Sequence, residues 1–340
     1  MEQVSARGAR ATIQDVARVA GVSVATVSRA LNGREDVAAA TRERVRQVAT
    51  ELGFRSNRQP RQVDASALTV GILTSDTVGR VSMPVLLGAE NALGAGRVAV
   101  LLCDARGDAI REAHYLRILL ERRVDGIVVV GEHPEVRSPL AEDLPVPVVY
   151  AYAPSSSAHD LSLVADNEEA AYGAVRHLIA LGRRRIAHVT GPRGRAAAVE
   201  REAGMRRALA EAGLDLHGEV LHGGDWSQRW GRQAAAMVLT GRPDVDAVFC
   251  GSDRIAAGAL ETLREQGRRV PEDVSVVGFD NWDIVATETR PPLSSVDMQL
   301  EQLGAEAARH LVQAIAGRSE RGVRRLPCRL VLRESTTFAP

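Results

Sequence analysis

From residue 68 onward, short apolar runs alternate with longer stretches that have the apolar spacing of helices, and this alternation restarts once along the chain. The runs have the length of strands and contain few polar residues, as expected for strands buried on both faces. Such strands, separated by helices, form parallel sheets covered by helices on both sides. The pattern therefore predicts an α/β core of two doubly wound parallel-sheet lobes. The predicted strands are Leu68–Leu73, Val98–Cys103, Gly126–Val130, Val146–Tyr150, Ile186–Thr190, Ala247–Cys250 and Val274–Phe279.

A different pattern precedes the core, between residues 12 and 32. Thr12 can cap a first helix with Asp15 in the reciprocal capping-box position, and Gly21 can end that helix with a positive φ. Ser23 can cap a second helix two residues later. A third helix follows, with Thr41 near its start. The spacing predicts an N-terminal all-α helix-turn-helix headpiece.

The outward face of the second predicted helix is small, hydroxylated and cationic. Short side chains let a helix enter the major groove, Arg29 can pair with guanine through two hydrogen bonds, and hydroxyls and amides suit phosphate oxygens. From the pattern alone, an ordinary helical hairpin with a polar surface is the alternative interpretation. The predicted DNA contacts in the headpiece are Thr12, Ser23, Val24, Ala25, Thr26, Ser28, Arg29, Asn32 and Thr41.

The charge distribution separates the two parts of the chain. Residues 1–62 contain eleven arginines and six acidic residues, a net charge of +5, whereas the remaining residues carry −5 and the whole chain is neutral. A basic head on a mildly acidic body is typical of a DNA-binding domain attached to a domain with another role. The three cysteines lack C-x-x-C spacing, so we expect free thiols and neither metal nor cofactor. With no apolar signal region or membrane span, we expect a cytoplasmic location.

The same residues resemble a known family of bacterial regulators. Thr26–Asn32, preceded by Asp15–Ala17 and Ala20–Ser23, closely resembles the headpiece of the lactose/galactose-repressor (LacI/GalR) family. The resemblance implies a core built like a periplasmic sugar-binding protein, in which the chain crosses three times between two lobes. Segments of the core that also resemble the family are Asp166–Asn167, His177–Leu178, Ile186–Pro192, Arg201 with Gly204, Ser252–Asp253, Val276–Asp280 and Arg290–Val296.

The resemblance also implies the domain boundaries. Residues 1–56 would form the DNA-binding headpiece, 57–67 a hinge or linker, and 68–340 the bilobal ligand-binding and dimerisation core. Lobe 1 would comprise about 68–166 and 299–326, and lobe 2 about 167–298 and 327–340. In the family the linker forms a helix on DNA and inserts a leucine into the minor groove.

The linker departs from that family pattern. Val63 stands nearest the position of the leucine, and Pro60 is unusual there because the residue before a proline avoids helical angles. We expect Arg58 and Val63 to contact DNA. Whether the segment forms a hinge helix or an unstructured tether stays open.

Polar residues follow several of the predicted strands, where parallel sheets bind ligands. Asp280 is the most informative, because an aspartate that ends an otherwise apolar strand needs a polar partner. Arg201 and Trp226 join it through the resemblance, since the family uses the matching positions to bind sugars. Alone, Arg201 would be interpreted as solvated, Trp226 as packing, and Asp253 equally as the cap of a helix from Arg254. The predicted ligand contacts are Ser75, Asp76, Tyr152, Arg201, Trp226, Ser252, Asp253 and Asp280.

Together these features predict a ligand-responsive transcription regulator, a repressor, that binds a pseudo-palindromic double-stranded DNA operator as a homodimer. The expected effector is a small molecule, a sugar or sugar derivative, and no membrane association is expected. The alternatives are a cytoplasmic sugar-binding protein, or a doubly wound enzyme with an accessory DNA-binding head. Against an enzyme, the Gly94–Ala99 glycines precede a strand instead of following one, and nucleophile-elbow, Walker and H-E-x-x-H motifs are missing.

Overall fold

The computed structural model of the chain describes residues 12–31, 38–52, 68–76, 78–94, 98–141 and 144–337. The predicted linker 57–67, with Arg58 and Val63, lies outside these residues, as does Asn32. The side chains of Ala25, Ser28 and Arg29 also lie outside the description. Predictions about these positions therefore stay predictions.

The headpiece consists of helices α1 (Ile13–Ala20), α2 (Val24–Leu31) and α3 (Ala39–Glu51). The predicted capping box is confirmed: the Thr12 hydroxyl accepts from the Asp15 amide, and the Asp15 carboxylate accepts from the Thr12 amide. Gly21 ends α1 with φ +66°, a conformation that favours glycine. The Ser23 hydroxyl accepts from the Thr26 amide at 3.1 Å and so caps α2. The helix-turn-helix prediction is confirmed.

One small apolar core joins the three headpiece helices. Each helix contributes residues spaced three or four apart, which places them on one face. This shared core holds α1, α2 and α3 together in one orientation. The buried residues are Val16, Ala17, Ala20, Val27, Ala30, Val45, Val48 and Ala49.

Strands and helices alternate through the core. The strands are β1 (Leu68–Thr74), β2 (Val98–Asp104), β3 (Gly126–Val130), β4 (Val148–Ala151), β5 (Leu161–Ala165), β6 (Ile186–Thr190), β7 (Leu221–His222), β8 (Ala247–Cys250), β9 (Ser275–Asp280), β10 (Ser294–Asp297), β11 (Gly322–Leu326) and β12 (Arg329–Val331). The helices are α4 (Ser82–Leu93), α5 (Ala109–Glu121), α6 (Asn167–Ala180), α7 (Ala196–Glu211), α8 (Gln228–Gly241), α9 (Asp253–Glu265), α10 (Asp283–Ala286) and α11 (Leu300–Ile315).

Within the described residues the strands form two six-stranded sheets, in the orders β11-β5-β4-β3-β1-β2 and β12-β10-β9-β8-β6-β7. All pairs are parallel except β10 with β12. Two doubly wound sheets are therefore confirmed. We call the first sheet with its helices lobe 1 and the second lobe 2. The chain passes between the sheets after Ala165, after Asp297 and after Leu326.

Several details differ from the sequence-based prediction. β2 was expected to be buried on both faces, but it is an edge strand, and Leu102 is 45% exposed. The predicted strands do not include β5, β7, β10, β11 or β12. The sequence does not indicate β10 because Ser294 and Ser295 look like loop residues. Their hydroxyls are buried and hydrogen-bonded, which makes a polar strand acceptable inside the lobe. Cys328 lies in the connection between β11 and β12.

The cysteines are free, with Cys250 buried and Cys103 and Cys328 partly exposed. Nowhere in the described ranges do His, Cys, Asp and Glu side chains cluster as a metal ion would require. None of the helices described is long and apolar enough to cross a membrane.

Candidate functional site

Arg201 is the best-anchored polar residue between the two lobes. It lies on α7 and is only 2% exposed. Its Nε donates to Oδ1 of Asn167 at 3.0 Å, and its Nη1 donates to the carbonyl oxygen of Gly251. The guanidinium carbon lies 3.6 Å from the centroid of the Phe279 ring. These contacts hold a buried cation in one orientation, which is what a binding site requires of a charged donor.

Packing between helices brings Arg201 to this position. α7 lies against α6, and a side-chain carbon at Gly204 would overlap the carbonyl group of Glu168 in α6. The close approach places Arg201 beside Asn167, the first residue of α6. Arg201 and Gly204 therefore act together: the glycine lets α7 approach α6 closely, and this approach brings Arg201 within hydrogen-bond distance of Asn167.

Asp280 ends β9 with a left-handed φ of +111° and faces both lobes. Its Oδ1 lies 3.7 Å from Nη2 of Arg201 in lobe 2 and 3.3 Å from Nη1 of Arg80, which comes from the loop after β1 in lobe 1. The polar partner that an aspartate at this place needs is therefore present twice. Burial lowers the pKa of Arg201 and the charge of Asp280 raises it, whereas Asp280 is the main cause of the raised pKa of Arg80.

Tyr152 lies on the lobe 1 side of this cluster, just after β4. It has φ +73° and is 2% exposed. Burial raises the pKa of its phenol, and the positive charges of Arg80 and Arg201 oppose that shift. The group is therefore a neutral hydroxyl that can donate or accept a hydrogen bond.

Apolar groups surround the cluster on the lobe 2 side. Trp226 is half-buried in the connection before α8, packs on Gly191 and lies 5.7 Å from the Arg201 guanidinium carbon. Met298, buried at the second crossing between the lobes, lies 3.7 Å from Nη2 of Arg201 through its sulfur. Trp230 does not share a helical face with Trp226, since it lies inside α8 and donates from Nε1 to the Thr190 carbonyl oxygen.

The alternative interpretation of Asp253, as the cap of a helix from Arg254, is wrong. Ser252 is the N-cap of α9, accepting from the Ile255 amide, and Asp253 is the first helical residue. The fully buried Asp253 carboxyl accepts from the Trp282 amide at 2.7 Å and from the Ser295 hydroxyl. Burial and the neighbouring charge of Asp280 raise its pKa to about 8. Ser252 and Asp253 thus lie near the cluster. The Ser252 hydroxyl caps α9, and the Asp253 carboxyl holds Trp282 after β9 and Ser295 in β10.

Asp76 and Ser75 follow β1 at the opposite wall. The buried Asp76 carboxylate accepts from the amides of Val81 and Ser82 at 2.6 and 2.8 Å, which supports the start of α4. The half-buried Ser75 is held through its backbone amide, which donates to the Val130 carbonyl oxygen. Asp76 thereby fixes the loop from which Arg80 extends.

A second contact bridges the lobes at the edge of the cleft. Glu135, in the loop after β3, accepts from the amide of Ala196 at 3.1 Å and lies 3.3 Å from Nε of Arg195. The N-cap residue of α7 provides no side-chain cap of its own, so a carboxylate from lobe 1 satisfies the start of a lobe 2 helix.

Sequence reasoning missed Arg80, Asn167, Phe279 and Glu135. For Arg80 the available signal was its place at the carboxyl edge of β1, but nothing distinguished it from the other arginines of an arginine-rich chain. Asn167 appeared only in the family resemblance. Glu135 carried no signal, because its role depends on how the lobes meet.

On the headpiece, the described candidate residues lie at the starts of helices and on α2. Val24 is 43% exposed, Ser23 is exposed, and Thr26 is half-buried with its hydroxyl 2.8 Å from that of Ser23. The exposed Thr12 hydroxyl donates to Asp15, and Thr41 is half-buried near the start of α3. The hydroxyls therefore lie at helix N-termini, where phosphate groups bind readily.

A helix-turn-helix headpiece joined to two parallel-sheet lobes with a polar cluster between them defines a class of DNA-binding regulators with a periplasmic-binding-protein-like core. Residues 12–57 match the model of bacterial regulatory proteins of the lacI family, and residues 175–336 match the periplasmic binding protein-like domain. The chain belongs to the LacI family of bacterial regulatory proteins. Since its relatives are transcription regulators, it is a transcription regulator and not an enzyme.

Relatives resemble the chain along nearly its whole length. It is 36% identical to the transcriptional regulator CelR of Thermobifida fusca over 97% of this chain and 99% of the relative. It is 34% identical to the repressor PurR of Vibrio atlanticus, covering 90% and 92% of the two chains. The structure of a CelR–cellobiose complex superposes with a TM-score of 0.65 at 35% identity, covering 96% and 100%. A lac repressor dimer bound to operator and the anti-inducer ONPF gives 0.63 at 28%, covering 96% and 99%.

Proposed function

We propose that the chain is a transcription repressor whose affinity for a pseudo-palindromic operator is set by a sugar or sugar derivative bound between the two lobes. The observation that carries this proposal is the buried Arg201 beside Asp280, both fixed at the junction of the lobes. The names of solved relatives support it, because one was solved with cellobiose and another with operator DNA. In a bacterium such a regulator acts in the cytoplasm.

The chemistry of the cleft suits a polyhydroxylated ligand. Asp280 can accept from sugar hydroxyls, Arg201 can donate to them, and the Tyr152 hydroxyl can do either. Trp226 offers a flat apolar surface for the C–H face of a sugar ring. We assign the polar wall of this junction, and the support of its loops, to Ser75, Asp76, Ser252 and Asp253.

The headpiece is the part of the regulator that we expect to bind DNA. We infer that α2 enters the major groove, with Arg29 reading bases and Val24 and Ala25 contacting the groove surface. The predicted phosphate contacts come from the hydroxyls of Thr12, Ser23 and Thr41 and, around the groove, from Thr26, Ser28 and Asn32. Arg58 and Val63 in the linker would extend the contact along DNA.

Homodimerisation follows from the operator that we propose, because two headpieces on related half-sites multiply the affinity of one. Apolar side chains are exposed on α4, where Met83 and Leu87 are each 45% exposed, and on the edge strand β2 at Leu102. α4 packs mainly against α11 and also contacts β2, so these side chains belong to the same part of lobe 1. We propose this region as part of the dimer contact.

Control of DNA binding requires that the effector prefer one arrangement of the lobes. A ligand held by Arg201 and Asp280 of lobe 2 and by Tyr152 of lobe 1 would favour one degree of closure. The lobes carry the two headpieces of the dimer, so closure would change the spacing between them. Coupling of this kind is typically about 1–3 kcal/mol, or about 5- to 150-fold in affinity.

The proposal is tested by screening sugars and polyols for an increase in melting temperature and then measuring operator affinity with and without each hit. DNA from upstream of the gene serves as the operator probe, and a scrambled sequence of equal length is the control. We expect at least one sugar to raise the melting temperature and change operator affinity several-fold. If ligands stabilise the protein while operator affinity stays constant, the coupling is wrong.

A further inference from the structure

Two guanidinium groups share one carboxylate at the centre of the cleft. Nη1 of Arg80 and Nη2 of Arg201 lie 3.3 and 3.7 Å from the same oxygen, Oδ1 of Asp280. The side chains are largely buried, with 24%, 3% and 12% of their surfaces exposed for Arg80, Arg201 and Asp280. Positive groups therefore outnumber the carboxylate that joins them, in a region where water contributes little screening.

Two further carboxyl groups, Asp253 and Asp76, are held by other hydrogen-bond donors, although the charge of Asp76 also acts on Arg80. Burial and the charge of Asp280 raise the pKa of Asp253, and its carboxyl accepts from the Trp282 amide and the Ser295 hydroxyl. Asp76 is engaged by the amides of Val81 and Ser82, so its charge lies against the positive end of the α4 dipole. Neither group offers a free carboxylate to the arginines.

Arg201 reflects this shortage of negative charge, whereas the charge of Asp280 raises the pKa of Arg80. Burial lowers the pKa of Arg201, and Asp280 only partly offsets that effect, so the guanidinium is incompletely compensated. Nη1 of Arg80 is buried, and although it lies 3.3 Å from Oδ1 of Asp280, it makes no well-directed hydrogen bond within the described part of the chain. A buried donor of this kind is costly unless another group satisfies it.

We propose that the cleft accepts an effector bearing an anionic group, a carboxylate or a phosphate, and that Arg80 determines the selectivity for it. This rests on the proposed function and names the ligand class of the same site. The anion lies between Arg80 and Arg201, where guanidinium groups can bind two oxygens at once. When the anion is bound, the two arginines face two negative groups, the anion and Asp280. Asp280 can then also accept from the hydroxyls of the same ligand.

The two arginines have different roles in this arrangement. Arg201 is already bonded to Asn167 and Gly251, so it provides a fixed donor. Arg80 extends from a loop of lobe 1 and reaches lobe 2 through the ion pair with Asp280, so a ligand held at Asp280 lies within its reach. An anion held by both arginines connects the lobes more strongly than a neutral sugar, because charged hydrogen bonds are roughly twice as strong.

The experiment compares neutral sugars with their acidic counterparts in the full-length protein. Calorimetric titrations use D-glucose, D-glucuronate and D-glucose 6-phosphate, and the corresponding galactose series, so that only the group at one carbon changes. Arg80→Met keeps the length of the side chain and removes its charge. Arg137→Met is the matched control, because Arg137 is also a lobe 1 arginine with 21% of its side chain exposed and is paired with Glu112 away from the cleft.

We expect the acidic member of at least one series to bind the wild type at least tenfold more tightly than the neutral member. Arg80→Met should reduce that ratio toward one, and Arg137→Met should keep it; the uronate and phosphate arms identify which anion fits. Equal or tighter binding of the neutral sugars would overturn the anionic ligand class while leaving a sugar effector intact. Binding of none of the six, with a response only to other neutral compounds, would overturn it too. Selectivity that survives in Arg80→Met would overturn the role of Arg80.

Discussion

The indole ring of Trp226 lies directly against Gly191, where a side-chain carbon on the glycine would overlap the ring. Gly191 follows β6 at the carboxyl edge of the lobe 2 sheet, and Trp226 comes from the connection between β7 and α8. The glycine is needed for its lack of a side chain, which lets the ring lie flat on the backbone. The same ring lies 5.7 Å from the Arg201 guanidinium carbon.

Replacing Gly191 by alanine should therefore displace Trp226 and weaken effector binding by about tenfold, or about 1.4 kcal/mol. Overpacking should also reduce the free energy of unfolding by about 1–3 kcal/mol. Calorimetric titration and denaturant unfolding measure the two effects. Gly173→Ala is the control, because an added carbon on α6 meets no atom within 4 Å. Unchanged effector affinity in Gly191→Ala would argue against Trp226 as a ligand contact.

Arg29→Ala should reduce the preference for operator over unrelated DNA by about 1–3 kcal/mol, the usual value of a bidentate contact with a base. Competition binding with operators changed at single base pairs measures this preference. Arg18→Ala removes the same charge from an exposed position on α1 and should weaken binding to all sequences alike. Equal loss of preference in both variants would contradict the assignment of Arg29 to base recognition.

His188 should make the folded protein sensitive to acid. Its ring is fully buried on β6, stacks on Phe249 with centroids 4.8 Å apart, and has Nδ1 2.9 Å from the Phe249 carbonyl oxygen. Burial lowers its pKa to about 4, below the unfolded value of about 6.5. The unfolded chain thus binds the extra proton first, so stability is retained above pH 6.5 and lost as the pH falls toward 4.

The loss that His188 causes is at most about 3 kcal/mol across this range. His188→Phe keeps a ring in place and should flatten the dependence of unfolding free energy on pH between 6.5 and 4. His114→Phe changes an exposed histidine on α5 and should leave the curve as in the wild type. Parallel curves for His188→Phe and the wild type would show that another group dominates the acid response.

The sequence predicted those features that depend on local spacing. The capping box of Thr12 and Asp15 and the turn at Gly21 follow from residues a few positions apart, and apolar runs predicted strands such as β1 and β9. β10 could not be predicted from its composition, because its serines become acceptable only when partners from distant segments satisfy them.

The residues of the candidate cleft also differ in whether the sequence alone predicts their contacts. Asp280 was predicted because a carboxylate at the end of an apolar strand requires a partner. That Arg80 would be this partner could not be predicted, since the contact joins residues 200 positions apart in two lobes. At Asp253 the sequence left two interpretations open, a ligand contact and a helix cap, and the structure gives the cap to Ser252.

The central claim is that a ligand held at Asp280 controls operator binding. It is tested most directly by measuring operator affinity against effector concentration for the wild type and for Asp280→Asn, with Asp273→Asn, a surface aspartate paired with Arg269, as the control. We expect a change of about 5- to 150-fold for the wild type and the control. Asp280→Asn should bind operator with an affinity that stays flat across the titration. A response of wild-type size in Asp280→Asn would contradict the account.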